Sequence, residues 1–196
     1  MPIYRRAGRI PHKRHTAFRR PDGSLYPEEL VGSKGFQGPS SLLYHLYRPT
    51  SVLSLKPFRD LNWAPEPDRI LRHRHFKTQR LYPASSPTVD RTPILFNSDV
   101  ALSLVLPRQE DDFFYRNAQG DELIFVSDGG GVLESQMGEL PFRRGDYLVI
   151  PRGILHRYRF TSHPVCFLAI ESAGYLRTPA HYRNEHGQLL EISPYC

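Results

Sequence analysis

The chain has 196 residues, 39% of them apolar and 12% aromatic, with a formal charge of +6. That is enough for one sizeable core with an irregular arm and too little for three domains. No apolar run approaches the roughly 18 residues of a membrane helix, and no signal-peptide core opens the sequence, so a soluble cytoplasmic protein is expected.

The positive charge is concentrated at the start, where Arg5, Arg6, Arg9, Lys13, Arg14, Arg19 and Arg20 precede the first acid, Asp22. Such an arm could neutralise phosphates, but no recognition helix or aromatic RNA-binding motif accompanies it, so no nucleic-acid partner is expected. A transit peptide fits poorly, because serines are missing and Pro2 and Pro11 interrupt any amphipathic helix. Residues 1–90 carry many of the 18 prolines, in segments such as "RRPDGSLYPEELVG" and "APEPD". They are expected to form an irregular N-terminal arm with short strands. Within it "RHRHF" would place His73 and His75 on one face of a strand, but no carboxylate follows at ligand spacing.

Residues 91–196 read differently, as an all-β domain. "PILFNSDVALSLVL" predicts two strands around Asn97-Ser98-Asp99. "DELIFVSDGG" and "GVLESQM" predict two more, meeting in a turn at Gly129, Gly130 and Gly131, and "DYLVIP", "ILHRYRF" and "VCFLAI" complete the set. Cys166 and Cys196 have neither CxxC nor zinc spacing, so no disulfide framework or cysteine metal site is indicated. No G-x-S-x-G element marks a nucleophile. His15, His45, His163, His181 and His186 lack paired context.

The stretch "GDYLVIPRGILHRY" has the spacing G-x5-P-x-G-x2-H, from Gly145 through Pro151 and Gly153 to His156. Gly145 and Asp146 would turn the chain, Tyr147 to Ile150 form a core strand, and Pro151 and Gly153 bend it so that His156 faces a barrel interior. This resembles the second motif of the cupins, small jelly-roll β-barrels of the double-stranded β-helix type. Remnants of their first motif lie upstream as Asn117, four residues, Glu122, six residues, Gly129. Tyr115 and Asn117 stand at its HxH positions, and Phe160 replaces the asparagine that closes the second motif. Of four usual ligands only Glu122 and His156 remain, which would hold a divalent ion weakly, so a vestigial, low-affinity metal site is the alternative to a purely polar cluster. Tyr115, Asn117, Glu122 and His156 are therefore expected to form a hydrogen-bonded polar cluster inside a degenerate cupin pocket, with no metal ligand and no catalytic residue.

Taken together, "MPIYRRAGRIPHKRHTAFRRPDGSLYPEELVGSKGFQGPSSLLYH", "YRNAQGDELIFVSDGGGVLES", "GELPFRRGDYLVIPRG" and "RNEHGQLLEISPYC" resemble the N-terminal half of the homogentisate 1,2-dioxygenases, over Met1 to Cys196. The resemblance implies a non-haem Fe(II) enzyme of tyrosine and phenylalanine catabolism, converting homogentisate and O2 to maleylacetoacetate. In that family two histidines and a glutamate of the C-terminal cupin half hold the iron, and the N-terminal half lacks it. Members are about twice this long, so no residue of 1–196 is carried over as an iron ligand, and no bound cofactor is expected here. The resemblance also implies a homo-oligomer, trimer or hexamer, in which this half is structural, and an aromatic small-molecule substrate for the full-length enzyme. A stand-alone, non-catalytic cupin binding a small ligand or a partner in its pocket is the alternative.

Overall fold

In a computed structural model of the chain, residues 18–193 are described, apart from 33–34, 39, 68–69, 71–72, 79–80, 82, 84, 178 and 185–187. Most of the basic arm, His15, His186 and Cys196 thus lie outside the described residues.

Every extended element is a β-strand, and none of the described residues is α-helical. Among the described residues, no helix is long and apolar enough to cross a membrane. The strands are β1 (Glu28–Gly32), β2 (Ser40–Tyr44), β3 (Thr92–Phe96), β4 (Val100–Val105), β5 (Asp121–Ser135), β6 (Gly138–Arg143), β7 (Tyr147–Ile150) and β8 (His156–Ser172). β1 and β2 form an antiparallel pair with Leu30 opposite Leu42. The other six make one antiparallel sheet in the order β3-β4-β8-β5-β6, with β7 also on β5. This all-β, cupin-type barrel is the fold class the motif spacing predicts.

Contacts divide the chain into Arg59–Leu176, which contains the barrel, and a second unit made of the residues up to Phe58 with those from Arg177 onward. Residues just before Arg91 belong to the first of these units. Thr88 donates a buried 2.6 Å hydrogen bond to Asp111, and Asp90 pairs with Arg59.

Two expected breaks are not breaks. β5 runs unbroken through Gly129, Gly130 and Gly131, where a turn was predicted, and β8 unites "ILHRYRF" with "VCFLAI". Both strands are long because each serves two neighbourhoods. The first half of β5 pairs with β7 and the end of β8, while its second half pairs with β6 and the start of β8. The register shifts fall between Val126 and Gly131, so the glycines form a bulge that bends the strand rather than ending it. At Gly131 a Cβ would lie 2.0 Å from the carbonyl oxygen of Arg159, so only glycine lets the strands approach this closely.

The core follows from alternation along these strands. Ile124, Val126 and Leu133 of β5 and Tyr158, Val165, Phe167 and Ala169 of β8 are buried. On the opposite face, register links Val149, Leu123, Ile170, Leu102 and Leu95 as successive cross-strand partners. This outward row is apolar, and Val149 is 52% and Leu95 60% exposed.

Candidate functional site

The second motif behaves locally as its residues dictate. Gly145 and Gly153 take positive φ angles of 91° and 83°, a region open to glycine at little cost. Between them Tyr147–Ile150 forms β7. The backbone N–H of Arg152 donates to the buried carboxylate of Asp121 at 2.9 Å, and that of Gly153 donates to the Asn117 carbonyl at 2.7 Å. The bend is thereby fastened to the start of β5, and β8 begins with His156 inside the barrel, 0% exposed.

Tyr115 and His156 exchange backbone hydrogen bonds of 2.8 and 2.9 Å, and their rings meet edge to face at 5.6 Å. Asn117 is oriented by its own loop: its Oδ1 accepts from the N–H groups of Gln119 and Gly120 at 3.0 Å each. This turns Nδ2 toward the interior, where it donates to Glu122 Oε1 at 2.9 Å and to Glu171 Oε2 at 3.1 Å. Glu122 and Glu171 are directly opposite on β5 and β8, a like-charge pairing that would be unfavourable alone.

Arg91, which sequence reasoning missed, compensates it. Its Nη2 donates to Glu122 Oε2 at 2.7 Å, its Nη1 to Glu171 Oε1 at 2.9 Å, and its Nε to the Pro87 carbonyl at 3.2 Å. The guanidinium also lies 5.8 Å from the centroid of the Tyr115 ring. The side chains of Arg91 and Glu122 are 3% and 0% exposed, so this is a buried ion pair with nearly complete hydrogen bonding. The "SPTVD" segment before Arg91 presents it: Ser86 Oγ accepts from the N–H groups of Thr88 and Val89 at 3.1 and 3.0 Å, and Asp90 accepts from the N–H of Ser86 at 3.1 Å. That compact turn is a legible Ser/Asp signal; its partner 31 residues away is not.

Thus the structure joins Asn117 to Glu122 directly, places Tyr115 and His156 beside them without a hydrogen bond from either side chain to Glu122, and adds Arg91, Glu171 and Tyr158. His73 and His75 lie elsewhere, exposed and outside any strand, so the expected shared strand face does not form: His73, Arg74 and His75 find no ladder partner to hold an extended pair.

The electrostatics follow from burial. Burial favours a neutral Glu122, but the charge and hydrogen bond of Arg91, aided by the Asn117 hydrogen bond, outweigh it and hold the carboxyl below its usual range. Burial pushes the Tyr115 and Tyr158 hydroxyls up, so both stay protonated. Burial likewise lowers the His156 value below 6.5, against the opposing hydrogen bond to Ile154 and the Glu122 charge. The imidazole is therefore neutral at pH 7. Its Nδ1 lies 3.0 Å from the Ile154 carbonyl, which can only accept, so Nδ1 carries the proton and Nε2 presents a lone pair. That Nε2 and the Tyr158 hydroxyl are buried with no protein partner.

A pH dependence follows. Between the folded value and 6.5 the unfolded chain binds a proton that folded His156 does not, so stability falls as pH drops through this window. We expect His156→Gln to flatten the slope of unfolding free energy against pH below 6.5 by up to about 1.4 kcal/mol per pH unit. Urea titrations at stepped pH would read it; an unchanged slope would refute a neutral buried His156.

The donor set does not fit Fe(II). Both Glu122 oxygens are engaged, one by a guanidinium, and His156 Nε2 is a single uncommitted imidazole nitrogen. Among the described residues, no group of three or more His, Cys, Asp or Glu side chains is placed to hold a metal ion.

No known family profile matches the chain. Along all its 196 residues it is 39% identical to a Saccharolobus solfataricus protein named "Putative dioxygenase SSO1533". The chain is homologous to a protein named as a dioxygenase. It spans 50% of that relative's length. Among solved structures, it is similar to KdgF from a Halomonas species, with a TM-score of 0.43 and 14% identity over 51% of this chain and 92% of that one. It is also similar to a cupin-2 domain containing protein of Shewanella frigidimarina, with a TM-score of 0.37 and 22% identity over 42% and 78%.

Proposed function

We propose that this chain is the metal-free cupin half of a ring-cleaving dioxygenase of the homogentisate 1,2-dioxygenase type, with structural and assembly duties. The observation that carries the reading is the match of the whole chain to half of a protein named as a dioxygenase. The Arg91–Glu122 pair supports it, because a barrel that neutralises its own carboxylate internally has its polar interior committed to structure. In this reading Fe(II) and homogentisate belong to a second cupin half, and this half supplies contacts within a trimer or hexamer. The apolar outward row from Val149 to Leu95 supports an assembly role.

Oxygen uptake with homogentisate tests the reading. The 196-residue protein supplied anaerobically with Fe(II) and then exposed to O2 is expected to consume none above the buffer rate. A protein that continues into an iron-binding cupin half is expected to consume O2 and homogentisate in equal amounts. Turnover by the 196 residues alone would overturn the structural role, and uptake by the longer protein with a different dihydroxy aromatic would overturn homogentisate.

A second reading, a non-catalytic cupin that binds a small ligand, is favoured by one observation: His156 Nε2 and the Tyr158 hydroxyl are buried without partners in the barrel interior. Saturable heat of binding for a small hydroxylated compound, lost in Tyr158→Phe, would favour it over the first.

A further inference from the structure

We propose that the outward face of strands β3, β4, β8, β5 and β7 is a self-association surface, on which the same face of a second copy of this chain packs, sheet on sheet. The inference rests on the assembly role proposed above and names its contact surface and its partner.

The face is apolar over two adjacent rows. One is the row from Val149 to Leu95. Beside it, register makes Tyr147, Phe125, Leu168 and Leu104 successive partners across β7, β5, β8 and β4. On each of these strands the rows are two residues apart and so share one side of the sheet. Neither row holds a charged side chain, and both lie within the Arg59–Leu176 unit. An antiparallel sheet with water on one side alternates apolar and polar residues, whereas a sheet covered on both sides reads as continuous apolar runs. "LIFV", "YLVI" and "VCFLAI" are runs of the second kind. Their inner members, Ile124, Val126, Leu148, Ile150, Phe167 and Ala169, are buried in the core. Of the outer members, Tyr147 is 65% exposed, as open as Val149 and Leu95 at the two edges.

Three features select a second copy as the cover. With a charge of +6 per chain, copies repel where basic residues meet, and an uncharged face is where contact avoids that repulsion. The chemistry is also that of a lasting protein interface: aliphatic side chains beside an aromatic pair, Phe125 and Tyr147, whose rings lie 4.9 Å apart, with no charge among them. Finally, aligned packing of two sheets needs an apolar face of matching twist and width, and each copy brings one. β8 is the middle strand of the five, so a two-fold contact sets Leu168 and Ile170 of the two copies near its axis.

Sedimentation velocity of the 196-residue protein over a micromolar dilution series tests the proposal. The wild type is expected to form a dimer, or an even multiple of it, that persists in about 1 M NaCl, where contacts between exposed charges are screened. Val149→Lys and Leu95→Lys, at positions already open to solvent on edge strands, are each expected to weaken association by about a hundredfold or more, because like charges then meet across the interface. Met137→Lys, at an exposed apolar position in the turn between β5 and β6, is expected to leave it unchanged. Should a lysine variant not fold, Val149→Thr and Leu95→Thr are read instead, with about a tenfold weakening expected. A monomeric wild type, a trimer, dissociation in salt, unchanged association in both face variants, or an equal loss in Met137→Lys would each overturn the proposal. None of these outcomes alters oxygen uptake, which decides the dioxygenase reading separately.

Discussion

Arg91→Met is expected to lower the free energy of unfolding at pH 7 by about 3–5 kcal/mol, the scale for stranding one partner of a buried ion pair. The larger part of that cost is the charge left behind on Glu122, which is 0% exposed and retains a single Asn117 hydrogen bond. A double variant, Arg91→Met with Glu122→Leu, is accordingly expected to be more stable than Arg91→Met alone, because two apolar groups of similar bulk carry no stranded charge. Acidity has the opposite effect on the two proteins. In the wild type, the Glu122 contribution is fully present above the usual carboxyl range and is lost as pH falls through its lowered folded value. In Arg91→Met the burial that remains raises that value instead, so Glu122 takes up a proton on acidification and the gap to wild type narrows from pH 7 to pH 4. Chemical denaturation at the two pH values measures this; a constant gap would mean that Glu122 is not the group left unpaired.

Gly131→Ala has the second largest expected effect, a loss of about 3 kcal/mol or more. Its new methyl group would sit 2.0 Å from the Arg159 carbonyl oxygen and 3.0 Å from the Phe142 ring, and the first obstacle is backbone of the paired strand rather than a side chain able to swing away. The bulge would have to open, separating β5 from β8 where Gly131 faces Phe160. Gly145→Ala is the control. Its φ of 91° is strained for alanine, but nothing lies within 4 Å, so about 1–2 kcal/mol is expected. Thermal or urea unfolding of both variants distinguishes close approach from backbone conformation; equal costs would show that the tight crossing at Gly131 is unimportant.

These two positions also mark where the sequence was legible. The bend from Gly145 to His156 could be read because every determinant is local: a positive-φ glycine, a four-residue apolar strand, Pro151, and a second glycine. Asn97-Ser98-Asp99 was equally local, with Asn97 Oδ1 accepting from the N–H groups of Asp99 and Val100. The three glycines at 129–131 misled for the same reason. Their composition is that of a turn, and only the partner strands, which pass within contact of Gly131 on β8 and on β6, make them a bulge in a strand of 15 residues. At the site, Asn117, Glu122 and His156 were identified through motif spacing. Arg91 and Glu171 were not, because a guanidinium 31 residues before its carboxylate, and a second carboxylate 49 residues beyond the first, are joined by strand pairing and leave no period in the sequence. The pairing of "RHRHF" histidines failed in the opposite direction: local alternation suggested a strand face, but among the described residues no strand pairs with His73–His75 to make one.

The interior carboxylate of this barrel is neutralised by an arginine and not by a metal ion. Anaerobic dialysis of the protein against Fe(II), followed by iron analysis, tests it most directly. Iron well below one per chain, unchanged in Glu122→Gln, is the predicted result; one iron per chain that disappears in Glu122→Gln would contradict it.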